Sequence, residues 1–512
     1  MHSFTPLEKQ VAIIDLGSNS ARLMVAQYTP GQVFKITDEV SRRVRLSERM
    51  SEENRLHTAA LLRAFDTLQL FKTFCEAQGI RRIIPVATAA VRDASNGADF
   101  LEMIRKNVGL DFRILSGEEE AYYGTLGVVN GLGINDGLIM DIGGGSAEIS
   151  TVRGGTFVQG TTTALGAVRC TEAYLPGPKA ELADVQRLRE SAASAFRAID
   201  WMRLRKNEVF VGLGGTVRQL ARMDRHALGY PYGLVNGYEL RLQRLEKIIS
   251  QLQANPITER TTVFPSLLGD RADIILAGAL VIAEAMRRAK ATRLRVSGQG
   301  LREGLFYELF FRDTPPTTQL GLRKFSVMNV ARLYGYEAEH TAHVARLALS
   351  LFDQLKPIHG YGDEEREYLW AAAILHDIGT VIDYYDHHKH SAYIILNAGL
   401  PGFSHREAIL IAQMCQYHRK GRPSLVPYAS ILKRDDDVRI TRLAALLRLA
   451  EFLDRSRAQT VTDVRVTLDK GRAQIMVIPK APGGASVEIW EALLHVDLFE
   501  SAFGLSVEIE EI

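Results

Sequence analysis

Cysteine is scarce: the 512 residues contain three, Cys75, Cys170 and Cys415, none of them in a CxxC pair. An odd number of widely separated thiols argues against a disulfide framework and for a reducing compartment. No apolar run approaches the roughly 18 residues needed to span a bilayer, and the longest candidate, IILAGALVIAEAM, is broken by charge too early. The first ten residues, MHSFTPLEKQ, lack a basic patch followed by an apolar stretch, so no secretory leader is expected. The expectation is a soluble cytoplasmic protein with no membrane partner. Net charge is nearly absent too, with 62 Lys+Arg against 60 Asp+Glu. An anionic ligand would have to be met by charge concentrated locally. The hydrophobic fraction of 46% and charged fraction of 24% are ordinary for globular chains and exclude disordered and fibrous classes. At about 150 residues per domain, this length suggests about three domains.

What is present begins with a repeat. VAIIDLGSNSARLMVAQY from Val11 and GLIMDIGGGSAEISTV from Gly137 each read as an apolar strand, an Asp, a Gly/Ser turn and a second strand. Asp15 corresponds to Asp141, Gly17 to Gly143 and Ser20 to Ser146, all at an offset of 126 residues. Two homologous halves are expected. Glycine turns leave backbone N–H groups open to close approach, and short hydroxyl or amide side chains add donors, which suits phosphate. An Asp at the strand end suits a Mg²⁺ ion or a water. Two facing copies would clamp one phosphate chain, although two hairpins with purely structural turns would read the same. No Gly-Lys-Ser/Thr run of the Walker type is present. Two further turns, VGLGGTVRQL (Gly214, Gly215, Thr216) and VSGQGLREGLFYEL, follow apolar strands and open helical patterns. Both put backbone donors at a helix start, where anions are favoured.

The DLGSNS and DIGGGS loops, together with ILSGEEEAYYG, VGLGGT and SGQGLREGLFYEL, resemble the exopolyphosphatase/guanosine pentaphosphate phosphatase family. The resemblance covers about residues 1–310, and HSAYIILNAGLPGF and YHRK extend it into the C-terminal half. It implies an α/β protein with two actin-like (ribonuclease H-like) domains, residues 1–125 and 126–310. An all-α HD-type domain, 311–458, and a small α+β cap, 459–512, would follow.

The resemblance also implies roles. Glu120, the last acid of SGEEEA, corresponds to the general base for the attacking water, whereas Glu118, Glu119 and Glu120 would otherwise read as a solvated helix start. Arg92 in VATAAVRDA would neutralise the departing phosphoryl group, its alternative being a surface residue. Asp141, Glu148 and Asp15 would hold Mg²⁺ or orient the water, with room for a monovalent cation such as K⁺. Phosphate contacts are expected from Gly17, Ser18, Asn19, Ser20, Gly143, Gly144, Gly145, Ser146, Gly214, Gly215 and Thr216.

In the C-terminal half, the turn-rich RDTPPTTQLG from Arg312 reads as a linker. HTAHVARLALSLFDQL, YLWAAAILHDIGTVI and AILIAQMCQYHRK then show helical periodicity. His376-Asp377 within AAILHDIG resembles the signature of HD phosphohydrolases, with His340 as the first motif histidine. A second metal site is expected from His340, His376, Asp377, His390, His418 and Glu451, with His387, His388 and Asp454 as further candidates. Glu451 stands where HD enzymes usually carry Asp, which leaves the ligand set open. The other reading is a groove for a polyanion. Ten Lys+Arg against five acids lie between Cys415 and Arg457, and Arg419, Lys420, Arg422, Lys433 and Arg434 are its candidates.

The resemblance implies a Mg²⁺-dependent exopolyphosphatase that releases terminal phosphate processively from inorganic polyphosphate. Conversion of guanosine pentaphosphate to the tetraphosphate at the same site is the first alternative, and a non-catalytic polyphosphate or nucleotide sensor the second. A homodimer is expected from the resemblance alone.

Overall fold

The computed structural model describes residues 5–48, 50, 54–312 and 319–512. The first four residues, where a leader was weighed, and most of the linker expected from Arg312 lie outside the described residues. The hairpins that open the two halves are built alike. In the first, β1 (Lys9–Leu16) and β2 (Ser20–Thr29) pair antiparallel, followed by β3 (Val33–Arg43), β4 (Ile83–Ala87) and β5 (Arg113–Ile114) in the order β3-β2-β1-β4-β5. In the second, β6 (Gly137–Ile142), β7 (Ala147–Arg153), β8 (Thr156–Thr163), β9 (Val209–Leu213), β10 (Glu239–Arg241) and β11 (Arg293–Val296) take the order β10-β11-β9-β6-β7-β8. Read from β8, the second sheet repeats the first and adds β10 at its edge.

The repeat extends to local detail. Gly17 N–H donates to Ser20 O at 3.2 Å, and Gly143 N–H donates to Ser146 O at 3.0 Å. The β2–β3 ladder shifts register at Val25/Ala26, and the β7–β8 ladder shifts at Thr151/Val152. Each pair of positions is again 126 apart. A bulge bends and twists its strand, so both sheets curl at the same point. This duplicated α/β architecture bears out the expected pair of actin-like domains.

The central strands are buried on both faces, as covered parallel strands require: Val11 to Ile14 and Leu138 to Met140 are buried throughout. Helix Thr58–Ala77 turns Ala60, Ala64, Leu68, Phe71 and Cys75 toward the first sheet, a single stripe of helical spacing. Helix Ile275–Ala289 is buried over most of its surface and forms the centre of the second core. Helix Leu301–Phe310, within the span expected for the second half, packs Phe306 on Tyr28 and Phe34 of the first sheet. It crosses helix Gly117–Leu132 so closely that a Cβ on Gly304 would sit 1.9 Å from Tyr123 O. The first half is therefore completed by a helix contributed from the end of the second.

Leu7–Tyr230 and Leu234–Leu322 form one compact unit, and Arg323–Ile512 form another. In the latter, helices Ala338–Gln354, Asp363–Leu375, His387–Ala398, His405–Tyr417 and Asp436–Phe452 share a single apolar core with a terminal sheet. That sheet has the order β12 (Val461–Asp469), β13 (Arg472–Pro479), β14 (Ser506–Glu511), with β13 and β14 parallel. Between β13 and β14 run two helices, Ser486–Leu493 and Asp497–Phe503. The break lets His495 stack on Phe452 while Leu498, Phe499 and Phe503 enter the core. Among the described residues, no helix is long and apolar enough to cross a membrane.

Candidate active site

Asp15 and Asp141 stand at equivalent strand ends, and the turns that follow them face each other. A Cβ on Gly145 would lie 2.8 Å from Ser18 Oγ, and one on Gly144 would lie 3.1 Å from the Cβ of Asn19. The second turn is held from behind, where the N–H groups of Ala167 and Val168 each donate at 2.9 Å, to Gly143 O and Gly144 O. The third turn closes the floor. Gly214 has φ +96°, and a Cβ there would meet Ile142 O at 2.6 Å and Asp141 Oδ1 at 2.7 Å, so only glycine fits. Together these turns surround a cavity of about 120 Å³. Gly17, Ser18, Asn19, Ser20, Gly143, Gly144, Ser146, Gly214, Gly215 and Thr216 all line it, while Gly145 stands behind, packed on Ser18.

Five acidic residues line this cavity: Asp15, Asp141, Glu148, Glu120 and Glu303, the last accepting from Gly300 N–H at 2.7 Å. Asp141 and Glu148 are direct partners in the β6–β7 register. Burial raises the Asp141 pKa to about 6, and burial with the Asp141 charge raises that of Glu148 to about 7. Asp15 is also shifted upward by burial. Thr162 Oγ1 donates to Glu148 Oε1 at 3.1 Å and fixes that side chain.

The three acids of SGEEEA separate by function. Ser116 caps helix Gly117–Leu132 by accepting from Glu119 N–H at 3.1 Å, while Glu119 Oε2 accepts from Ser116 N–H at 2.8 Å. Glu118 is exposed, whereas Glu120, one residue beyond the cap, is buried and enters the cavity. Its carboxylate is ion-paired with Arg92, whose guanidinium also donates to Leu115 O at 2.7 Å. Burial and the Glu148 charge push the Glu120 pKa upward against the pull of Arg92.

Arg22, Arg218, Arg271 and Arg302 also line the cavity. They were not among the residues singled out from the sequence. Arg218 follows Thr216 by two positions, and burial together with Arg22 pushes its pKa down to about 9. Arg22 and Arg302 lay inside quoted motifs, where their charge on a phosphate loop was the signal. Arg271 sits in a turn far along the chain and gave none. Guanidiniums, hydroxyls and open glycine backbone are donors complementary to phosphate oxygens, and the buried carboxylates among them are acceptors of the kind that bind cations.

The sequence matches the model of the Ppx/GppA phosphatase family over residues 24–312, and that of Ppx/GppA phosphatase, domain III, over residues 322–488. The chain belongs to the Ppx/GppA phosphatase family. The crystal structure of the Aquifex aeolicus family member is 28% identical with TM-score 0.52, over 60% of this chain and 99% of that one. A second structure, of the Aquifex aeolicus PPX-GPPA enzyme, is 30% identical with TM-score 0.50, over 58% and 98%. An exopolyphosphatase from Cytophaga hutchinsonii, at 22% identity and TM-score 0.53, over 59% and 98%, shares the fold.

In this Ppx/GppA protein the second unit gathers a histidine cluster. His340, His376, Asp377 and Glu451 come together, and Asp377, His387 and His418 form an adjoining set. His390 is not among them; three residues along the same helix, His387 takes the inward position, with Nε2 at 3.2 Å from Asp377 Oδ1. Of the basic residues expected to line a groove, Lys420, Arg422, Lys433 and Arg434 are exposed and Arg419 lies over the Tyr384 ring. Lys420 is 3.4 Å from Asp386. Others in that stretch are engaged structurally: Arg439 with Asp436 and Glu365, and Arg448 with the carbonyls of Tyr417 and Gly421.

Proposed function

We propose that the cavity between the two glycine turns hydrolyses the terminal phosphoanhydride of inorganic polyphosphate. The observation that carries this reading is the buried Glu120 carboxylate, paired with Arg92 at the rim of a cavity walled by glycine backbone, hydroxyls and arginines. The cavity's lining is mainly polar, with aliphatic contributions from Ile142, Ala167, Leu213, Ile274 and Leu301 and no aromatic ring. Its wall matches phosphate oxygens along its length better than it matches a purine.

Asp15, Asp141 and Glu148 line the cavity with oxygen donors whose burial disfavours bare negative charge; their oxygens do not converge on one point, so a hard divalent cation among them would be held partly through water. Mg²⁺ held there would shield the phosphate charge. Arg22, Arg218 and Arg271 would hold the non-bridging oxygens, and the glycine turns would fix the chain end. Glu120 would take the proton of a water as its oxygen forms the new P–O bond and the anhydride P–O bond breaks. Arg92 favours its ionised form, and burial makes that carboxylate a stronger proton acceptor than a solvated one. Arg92 would hold the Glu120 carboxylate in position and then offset charge on the transferred group. Phosphoryl transfer asks mainly for positioning and charge neutralisation, and these residues offer both.

The test is phosphate release by the full chain with Mg²⁺, from long-chain polyphosphate and from guanosine pentaphosphate at matched terminal-phosphate concentration. Faster release from the polymer is expected. Faster release from the nucleotide would transfer the assignment to the pentaphosphate. Tight binding of either without release would make the protein a sensor.

A further inference from the structure

We propose that a second cavity, on the far side of the helix that carries Glu120, is a site for a small organic cation, a protonated amine on an apolar body. The site is coupled to the phosphate cavity through two helices that line both. Its volume is about 300 Å³, at the lower end of the range of small-molecule sites. Neither Lys nor Arg lines it, whereas four arginines line the phosphate cavity. A phosphate-bearing ligand is therefore mismatched to this second cavity.

Four rings, Tyr122, Phe157, Tyr307 and Phe311, surround the cavity with a single acid, Glu308. Tyr122 meets Phe157 edge-on with centroids 5.7 Å apart, and Tyr307 stacks with Phe311 at 5.9 Å. Ring faces carry the negative part of the aromatic quadrupole, so rings and carboxylate attract the same kind of ligand, a cation. Leu126 and Val129 make the remaining wall apolar. That wall suits the hydrocarbon body of an amine and not a hydrated metal ion, which needs oxygen donors on several sides.

The acid is oriented from behind. Arg113 donates to Tyr123 Oη at 3.0 Å, and the Tyr123 hydroxyl donates to Glu308 Oε2 at 3.2 Å. Among the described residues Glu308 forms no ion pair, so its charge is met only by a neutral hydroxyl. The charge is felt across the cavity: burial, and then Glu308, push the Tyr122 hydroxyl pKa above its ordinary value. A protonated amine seated between Tyr122 and Glu308 supplies the missing countercharge.

The two cavities share their walls. Helix Gly117–Leu132 brings Glu120 to the phosphate cavity in its first turn and Tyr122, Leu126 and Val129 to the second cavity. By helical spacing those three residues share the face turned away from Glu120. Helix Leu301–Phe310 brings Arg302 and Glu303 to the first cavity and Tyr307 and Glu308 to the second. Thr125 Oγ1 lies 2.6 Å from Ser150 Oγ, and Ser150 is two positions from Glu148 on the same face of β7. A ligand held between Phe157 of β8 and Glu308 therefore bears on both helices. Their crossing, with Gly304 packed on Tyr123 O, leaves no slack to absorb a shift.

The experiment titrates the full chain by calorimetry with three probes of similar shape: 2-phenylethylamine, the neutral 2-phenylethanol and the anionic phenylacetate. The amine is expected to bind at least about fivefold more tightly than either of the others. Glu308→Gln and Tyr122→Leu should each weaken amine binding by about threefold or more, with the melting temperature nearly unchanged because both side chains reach the surface. No binding of the amine, equal binding of the three probes, or amine binding unaltered by Glu308→Gln overturns the site. The coupling is read by hydrogen exchange with and without saturating amine, which needs no turnover. Slower exchange is expected in the first turns of both helices, residues 117–121 and 301–304, at the phosphate-cavity end. Unchanged exchange in those turns overturns the coupling.

Discussion

Arg22 and Glu148 occupy the same position in the two halves of the duplicated region. Arg22 pairs across β1–β2 with Asp15, Glu148 pairs across β6–β7 with Asp141, and both line the phosphate cavity. The duplication keeps the aspartates and reverses the charge of their neighbours. Equivalent positions thus carry opposite charge into one cavity, so a symmetric scaffold acquires a direction.

This asymmetry predicts different kinetic consequences at equivalent positions. Arg22→Gln removes a charge-assisted contact to substrate, worth about 1.5–3 kcal/mol, and should raise KM for polyphosphate roughly 10- to 100-fold. Glu148→Gln should instead raise the Mg²⁺ concentration needed for half-maximal rate. Steady-state titration of substrate and Mg²⁺ separates the two, and equal effects of both substitutions on KM would contradict the division of labour.

A pH dependence follows from the raised carboxylates. Asp141 at about 6 and Glu148 at about 7 lie above their ordinary values of 3.8 and 4.5. A group whose folded pKa is raised contributes stability that is present below its unfolded pKa and lost as pH rises through the folded one. In chelator, the melting temperature should therefore fall between about pH 4 and pH 7 relative to Asp141→Asn. Mg²⁺ requires the ionised carboxylates, so its stabilising effect should grow over the same window. A chelated melting temperature that tracks the Asp141→Asn protein at every pH would refute this.

Gly214→Ala tests the close packing under Asp141. A non-glycine residue at φ +96° costs about 1–3 kcal/mol, and its Cβ would press on Asp141 Oδ1 and Ile142 O. Urea unfolding should register the loss of stability, and Mg²⁺ affinity should fall with it. Unchanged unfolding would show that the turn can rearrange.

Features carried by contiguous chain were legible in the sequence, and features created by distant packing were not. Asp15, Asp141 and their turns could be read because strand, acid and turn are contiguous and repeat at a fixed offset. The family resemblance singled out Glu120 among the three acids, and the Ser116 cap supplies the physical reason, because it fixes which turn of the helix each acid occupies. Arg271 enters the cavity from a turn that carries no local pattern. His387 rather than His390 joins Asp377 because the phase of helix His387–Ala398 is set by packing across the unit, which spacing within a run of histidines does not reveal. The departure of helix Leu301–Phe310 to the first sheet is likewise a matter of aromatic packing between segments some 270 residues apart.

The most direct test of the phosphate cavity as a catalytic site is Glu120→Gln, assayed with Mg²⁺ for both polyphosphate binding and phosphate release. A general base contributes about 100- to 10,000-fold, so release should fall by at least about 100-fold while binding stays within a few-fold of the unmodified chain. Release that persists at near-normal rate, with binding weakened instead, would contradict the assignment of Glu120 and move the chemistry elsewhere in the protein.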